Sequence, residues 1–222
     1  MTRKVFWLDP YLTELDTSVA TVAGDEVTLE ATILYALSGG QESDAGEIGG
    51  RRVRGAEWRG FEIVYALEPG HGLAPGQAVR LRLDWPRRYR LMRLHFAAEL
   101  ALETVNRRLA QPAKLGAHIA EDKARIDFAW SGSLAPHLPA IDADVAALVA
   151  ADLPIVSAFS DEANERRFWR IDGFGEVPCG GTHLRRTGEV GALKLARRNP
   201  GKDRERIEIV LADPDATAPA RL

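Results

Sequence analysis

Three features of the sequence predict an α+β protein. Short alternating apolar runs broken by glycine-rich turns fill the chain to about residue 84. A helical stretch free of Gly and Pro follows at 87–109. Beyond it, strand and helix patterns alternate, as they do when helices cover an antiparallel sheet.

In the first segment the runs VTLEATIL at 27–34, FEIVYA at 61–66 and AVRLRL at 78–83 alternate with the period of a strand. The turns SGGQESDAGEIGG at 38–50 and EPGHGLAPGQ at 68–77 separate them. Several short strands joined this way predict a small β-barrel or sandwich over 1–84. At Asp84-Trp85-Pro86 the pattern changes. A proline is tolerated in the first turn of a helix, and Asp84 or the residue after it can cap that turn. Leu91, Leu94, Ala98, Ala101 and Val105 then recur at helical spacing.

The second domain, 85–222, continues with a strand at 124–128 paired with 116–120, and an Ala-rich helix near 142–151. A strand at 155–159, a short helix starting near Ser160, and two strands over 191–211 turning at Asn199-Pro200-Gly201 complete it. The last residues, DPDATAPARL, read as frayed.

The chain is 45% hydrophobic and 27% charged, the balance of a folded protein with a core. No apolar run approaches the roughly 18–20 residues of a membrane helix. MTRKVFWLDPYL is interrupted by Asp9 and Pro10 and reads poorly as a signal peptide. With one cysteine, this points to a reducing, cytoplasmic setting. The net charge of −3 does not advertise a nucleic-acid partner. Basic residues nevertheless cluster at Arg51, Arg52 and Arg54, at Arg87, Arg88, Arg90 and Arg93, and at Lys194, Arg197, Arg198, Lys202, Arg204 and Arg206. Such patches either hold a phosphate backbone or are solvated faces.

The sole thiol, Cys179, stands in PCGGTH at 178–183, four residues before His183. It is a buried apolar group, a nucleophile or a metal ligand. Gly180 and Gly181 allow the turn that points both side chains one way. On the long helix His95 and Glu99 are also four apart, hence on one face. Together these residues offer N, O, S and N donors, a set suited to zinc. Each half alone has a plainer explanation: a surface hydrogen-bonded pair for His95 and Glu99, an inert buried thiol for Cys179. A nucleophilic Cys179–His183 pair needs a third residue to orient the imidazole. His71, in a turn, His118, in a strand, and His137, near prolines, read as structural or solvent-facing.

Three separated segments resemble the alanyl-tRNA editing family, the AlaX proteins and the editing domain of alanyl-tRNA synthetase. LDWPRRYRLMRLHFAAELAL at 83–102 is similar to that family's HxxxH helix. FGEVPCGGTHLRRTGEVGALKL at 174–195 is similar to its CxxxH segment, and TILYALSGGQESDAGEI at 32–48 to its GGQ segment.

The resemblance implies an N-terminal β-barrel followed by a two-layer editing core that binds zinc. The implied activity is hydrolysis of the ester of mischarged tRNA(Ala), carrying serine or glycine, free of the synthetase. Carried over by position, the ligands are His95, Cys179 and His183. Gln41 is expected near the substrate at the junction of the domains, in a catalytic and substrate-binding role, with Thr182 and the backbone N–H groups of Gly180 and Gly181 as contacts to substrate or oxyanion. The Arg clusters are expected on the acceptor stem. Glu99 departs from the family's second histidine. It either ligates zinc, which makes the centre neutral and a weaker Lewis acid, or serves as a general base beside a three-ligand ion. A degenerate site kept for binding, and a metallohydrolase moved to another aminoacyl ester or amide, are the remaining readings.

Overall fold

A computed structural model describes residues 2–201 and 203–213. Among them are sixteen strands and two α-helices, in sheets whose strands pair mostly antiparallel. By backbone contacts they form two compact units. One holds the residues before Gly39 together with Glu42–Arg88; the other holds Gly39–Gln41 and the residues from Tyr89 onward.

The first unit contains β1 (Arg3–Lys4), β2 (Glu14–Ala23), β3 (Glu26–Leu29), β4 (Ala31–Thr32), β5 (Gly46–Ile48), β6 (Arg51–Arg52), β7 (Gly55–Arg59), β8 (Glu62–Ala66) and β9 (Ala78–Leu83). Seven of these strands make one curled sheet in the order β6-β5-β9-β2-β3-β8-β7, and β1 pairs in parallel with β4. In β9 the alternation AVRLRL becomes alternating exposure: Val79, Leu81 and Leu83 are buried and the arginines between them are not. Phe6, Leu29, Ile33, Tyr35, Ile48, Ile63 and Tyr65 fill the core beside them.

Arg88 is buried in this core with Asp44. Its Nε donates to Asp44 Oδ1 at 2.8 Å, its Nη2 pairs with Oδ2, and further N–H groups reach the Pro10 and Ile33 carbonyls at 2.9 and 2.7 Å. A buried guanidinium is tolerable only when so fully paired.

Helix α1 (Trp85–Arg108) starts where the sequence predicted. Asp84 Oδ1 accepts the Arg87 N–H at 3.1 Å, an N-cap bond to one of the donors a helix start leaves open. The predicted apolar positions are all buried, and so are Met92, His95, Phe96, Ala97, Glu99 and Leu100. The middle of this helix is enclosed on every side, so polar residues there need internal partners.

The second unit contains β10 (Ala113–Ile119), β11 (Ala124–Ala129), α2 (Leu138–Ala150), β12 (Val156–Asp161), β13 (Arg166–Ile171), β14 (Gly175–Pro178), β15 (Leu193–Gly201) and β16 (Arg204–Leu211). One sheet has the order β10-β11-β16-β15 and another β12-β13-β14. The helix expected near Ser160 is instead the turn between β12 and β13. Asp161 accepts from the Asn164 backbone at 3.1 Å and from its side-chain amide at 2.7 Å, and Glu165 has φ +53°. That Asx-type bonding reverses the chain. The turn expected at Asn199-Pro200-Gly201 falls later: Gly201 still pairs, with Arg204, after a register shift beyond Arg198. Apart from Asp213, the tail read as frayed lies outside the described residues, as does Lys202.

Candidate metal centre

His95 and Glu99 stand one turn apart on α1, enclosed rather than on a surface. Cys179 follows β14, its N–H donating to the Arg167 carbonyl at 2.9 Å and so extending the β13–β14 pairing by one residue. The turn after it brings His183 back onto the thiol. Sγ lies 3.2 Å from His183 Nε2 and 3.4 Å from His95 Nε2. Among the described residues, His95, Cys179 and His183 form one group whose donor atoms all lie within 4.8 Å of one another. Tetrahedral zinc with ordinary Zn–S and Zn–N bonds separates such donors by about 3.5 Å, so thiol and imidazoles are spaced as that ion requires.

Glu99 is outside that group. Its Oε1 is 3.4 Å from His95 Nε2, and its Oε2 accepts the indole N–H of Trp169 at 3.1 Å. Ser157 Oγ is 2.9 Å from His183 Nδ1. The contact fixes the ring's orientation, and with Nε2 ligating a cation Nδ1 would carry the proton and donate it to Ser157. Nδ1 of His95 is buried with no hydrogen-bond partner among the described residues, and Gly181 lies against that ring.

The charges support one another. Burial alone pushes the Cys179 thiol up, but His95 and His183 beside it outweigh that and bring it down to about 6. Burial opposes a charged His95, yet the thiolate and the Glu99 carboxylate hold its imidazolium well above the usual range. Burial likewise raises Glu99, and the bond and charge of His95 bring it down to about 2. A cation bound here would take the place of the His95 proton, because the donor forms it selects are a thiolate and neutral imidazoles.

Gln41 belongs to the same unit. It bridges to Ile119 at the edge of β10, where Ile119 N–H donates to the Gly40 carbonyl at 2.8 Å. Gly40 has φ +94°, and a Cβ there would overlap the Ala117 carbonyl, so only glycine brings this segment to the sheet edge. Gln41 Nε2 donates to Thr182 Oγ1 at 2.9 Å, and its Oε1 accepts the Thr182 N–H at 3.2 Å. Gln41, Gly181 and Thr182 are therefore part of the buried support of the turn, while Gly180 is exposed.

The other histidines are accounted for separately. His71 accepts from the Leu73 N–H at 3.0 Å and sits 3.2 Å from the Gly24 carbonyl, and His137 lies against Trp130 at 5.8 Å. His118 is part of β10.

Sequence reasoning missed Ser157, Trp169 and Arg167. Ser157 and Trp169 are directly opposite each other across β12 and β13. Nothing in the sequence marks that pairing. Arg167 is buried beside Cys179, and its guanidinium lies 5.0 Å from the Phe159 ring centre. Two members of the arginine run on the helix, Arg88 and Arg93, need correction as RNA contacts, whereas Arg87 and Arg90 are partly exposed. Arg88 and Arg93 are buried, Arg93 donating to the Val190 and Asp213 carbonyls at 3.0 and 2.7 Å.

Two buried imidazoles and a half-buried thiol thus form a candidate metal centre, and the segment that carries the thiol matches a known family. The family described as the threonyl and alanyl tRNA synthetase second additional domain matches residues 167–208. The alanyl-tRNA editing protein AlaX-M of Methanosarcina acetivorans is 30% identical, covering 96% of this chain and all of that protein. AlaX-M of Pyrococcus horikoshii is 30% identical, over 95% of this chain and 98% of that protein. The alanine–tRNA ligase of Ignicoccus hospitalis is 33% identical over 87% of this chain but 24% of its own length. The chain belongs to the AlaX family of alanyl-tRNA editing proteins.

Proposed function

We propose that this protein is a trans-editing deacylase that hydrolyses the aminoacyl ester of mischarged tRNA(Ala), seryl-tRNA(Ala) first and glycyl-tRNA(Ala) second. The observation that carries the reading is the His95–Cys179–His183 donor group, in a chain collinear with full-length relatives named as alanyl-tRNA editing proteins. Residues 1–84 would serve as the barrel-like platform and 85–222 as the two-layer editing domain, acting in the cytoplasm where its tRNA substrate is used.

Zinc, held by His95, Cys179 and His183, would supply an electrophilic centre for ester hydrolysis. The chain's own residues supply the rest. Glu99, enclosed one helical turn from His95, would accept the proton of the attacking water. Ser157 keeps the His183 ring in one orientation, and Gln41 holds the turn through Thr182. The N–H groups of the Gly180–Gly181 turn are the donors for the developing oxyanion. An aminoacyl ester is already activated, so positioning and charge stabilisation suffice. Discrimination between serine and alanine requires a polar partner for the hydroxyl. Arg51, Arg52 and Arg54, all exposed, are the first candidates for acceptor-stem phosphates, with affinity that falls steeply with salt.

The test is deacylation of seryl-, glycyl-, alanyl- and threonyl-tRNA with and without chelator. Chelator-sensitive release of serine supports the proposal. A folded, zinc-loaded protein that releases none of the four leaves a tRNA-binding or partner-binding protein of the same fold. Release from other aminoacyl esters or amides alone points to a metallohydrolase with a changed substrate.

One observation favours a second reading: the chain Ser157–His183–Cys179 also meets the requirement of an oriented imidazole beside an acidified thiol. In that case activity survives chelation, is abolished by alkylating Cys179, and proceeds through a trappable thioester.

A further inference from the structure

We infer that Trp169 is a positioning residue that keeps the Glu99 carboxylate out of the donor set, so that the centre has three protein donors rather than four. The inference rests on the metal reading above.

Trp169 is fully buried in β13, and its ring is fixed on two sides. Phe96 meets it edge-on at 5.3 Å, and Phe174 stacks on it at 6.4 Å with the planes 18° apart. An indole held this way cannot turn its N–H elsewhere, and indole is a donor only. That N–H takes Oε2 of Glu99 at 3.1 Å. Releasing it would leave a buried donor unpaired. Glu99 is therefore held with one oxygen on Trp169 and the other 3.4 Å from His95 Nε2, a placement that leaves its oxygens more than 4.8 Å from at least one of the Cys179 and His183 donor atoms.

The sheet explains how this control is built. Trp169 and Ser157 are cross-strand partners, so one row of the β12–β13 pair reaches both Glu99 and His183. One row thus orients a residue that ligates and restrains a residue that could. A catalytic zinc site differs from a structural one in keeping a position open. On this chain a carboxylate one helical turn from His95 would close it unless something held it back.

The experiment uses the full-length protein and the W169F variant, which keeps the aromatic packing and removes the N–H. Zinc affinity is measured by chelator competition. Cobalt-loaded protein is titrated with azide and followed by its visible spectrum, with the thiolate-to-cobalt band reporting that Cys179 still binds. Wild type is expected to respond to azide. W169F is expected to bind zinc at least tenfold more tightly, to lose the azide response, and to regain both wild-type properties when Glu99→Ala is added.

A W169F protein with unchanged or weaker zinc affinity and an unchanged azide response overturns the inference alone. Glu99→Ala with Trp169 intact provides a check that does not depend on the folding of W169F. Zinc affinity within twofold of wild type supports the inference, and a tenfold loss makes Glu99 a donor and overturns it. Wild-type protein that takes up neither ion overturns the metal reading and this inference with it.

Discussion

Gln41 holds Thr182 with both ends of its amide, across 141 residues of sequence, through bonds of 2.9 and 3.2 Å. All of these atoms are buried, and Thr182 adjoins His183. In Gln41→Ala the Thr182 hydroxyl and N–H lose their partner, at a cost of about 1–3 kcal/mol. The expected result is a lower kcat for deacylation with weakened zinc retention, read by single-turnover kinetics and metal analysis. Full retention of both would make Gln41 dispensable.

Gly181 gives a sharper prediction. A Cβ at this position would overlap the His95 ring and fall 2.8 Å from Gln41 Oε1. Gly181→Ala must move His95 or the turn, and overpacking of this kind costs about 1–3 kcal/mol. Zinc affinity is expected to fall at least tenfold, by chelator competition. The same change at Gly180, where a Cβ meets nothing within 4 Å, serves as the control and should leave affinity intact.

Removing the outer contact to His183 tests its orientation. In Ser157→Ala, His183 Nδ1 loses its hydrogen-bond partner at 2.9 Å. Outer contacts of this type change metal affinity by about 10–100-fold. Isothermal titration with zinc is expected to show a loss in that range with little change in melting temperature.

The Arg88–Asp44 pair predicts stability rather than activity. Removing one partner of a fully buried ion pair costs about 3–5 kcal/mol. Arg88→Met is therefore expected to lower the melting temperature by on the order of 10 °C. Asp44→Leu added to Arg88→Met removes the stranded charge and should recover a large part of that loss. Equal melting temperatures for the single variant and wild type would contradict this account.

Glu205 provides the pH dependence. It is buried, and the Arg197 side chain bonded to it holds its carboxyl below the ordinary 4.5, with the Leu134 N–H adding to this. A carboxyl depressed by folding contributes stability that is present above its ordinary value and lost as pH falls through the depressed one. Thermal melts between about pH 6 and 3 should therefore show a shallower acid-side decline in Glu205→Gln than in wild type. Parallel curves would show that the pair contributes nothing.

The long helix, its Asp84 cap and the Cys179–His183 turn were legible because each rests on local rules: spacing, a capping side chain, two glycines. The alternating strands of the first unit were legible for the same reason. The arginine run on the helix misled, because charged residues are ordinarily solvated and burial depends on partners such as Asp44 and the Val190 carbonyl. The turn after Asp161 read as a helix start, since the same Asp side chain that caps helices also closes Asx turns. Ser157 and Trp169 could not be found at all. Their roles come from cross-strand register, and register is set by where three separate segments meet.

Cys179 is the chain's sole cysteine and a donor of the candidate centre. A thiol-selective reagent therefore has one target on this chain, and that target reports on the candidate centre. Modification rates followed by mass spectrometry would measure occupancy of the centre directly, in whole lysate and without engineering a label. By the same logic a single oxidation event, at that one sulfur, would remove one donor of the candidate centre.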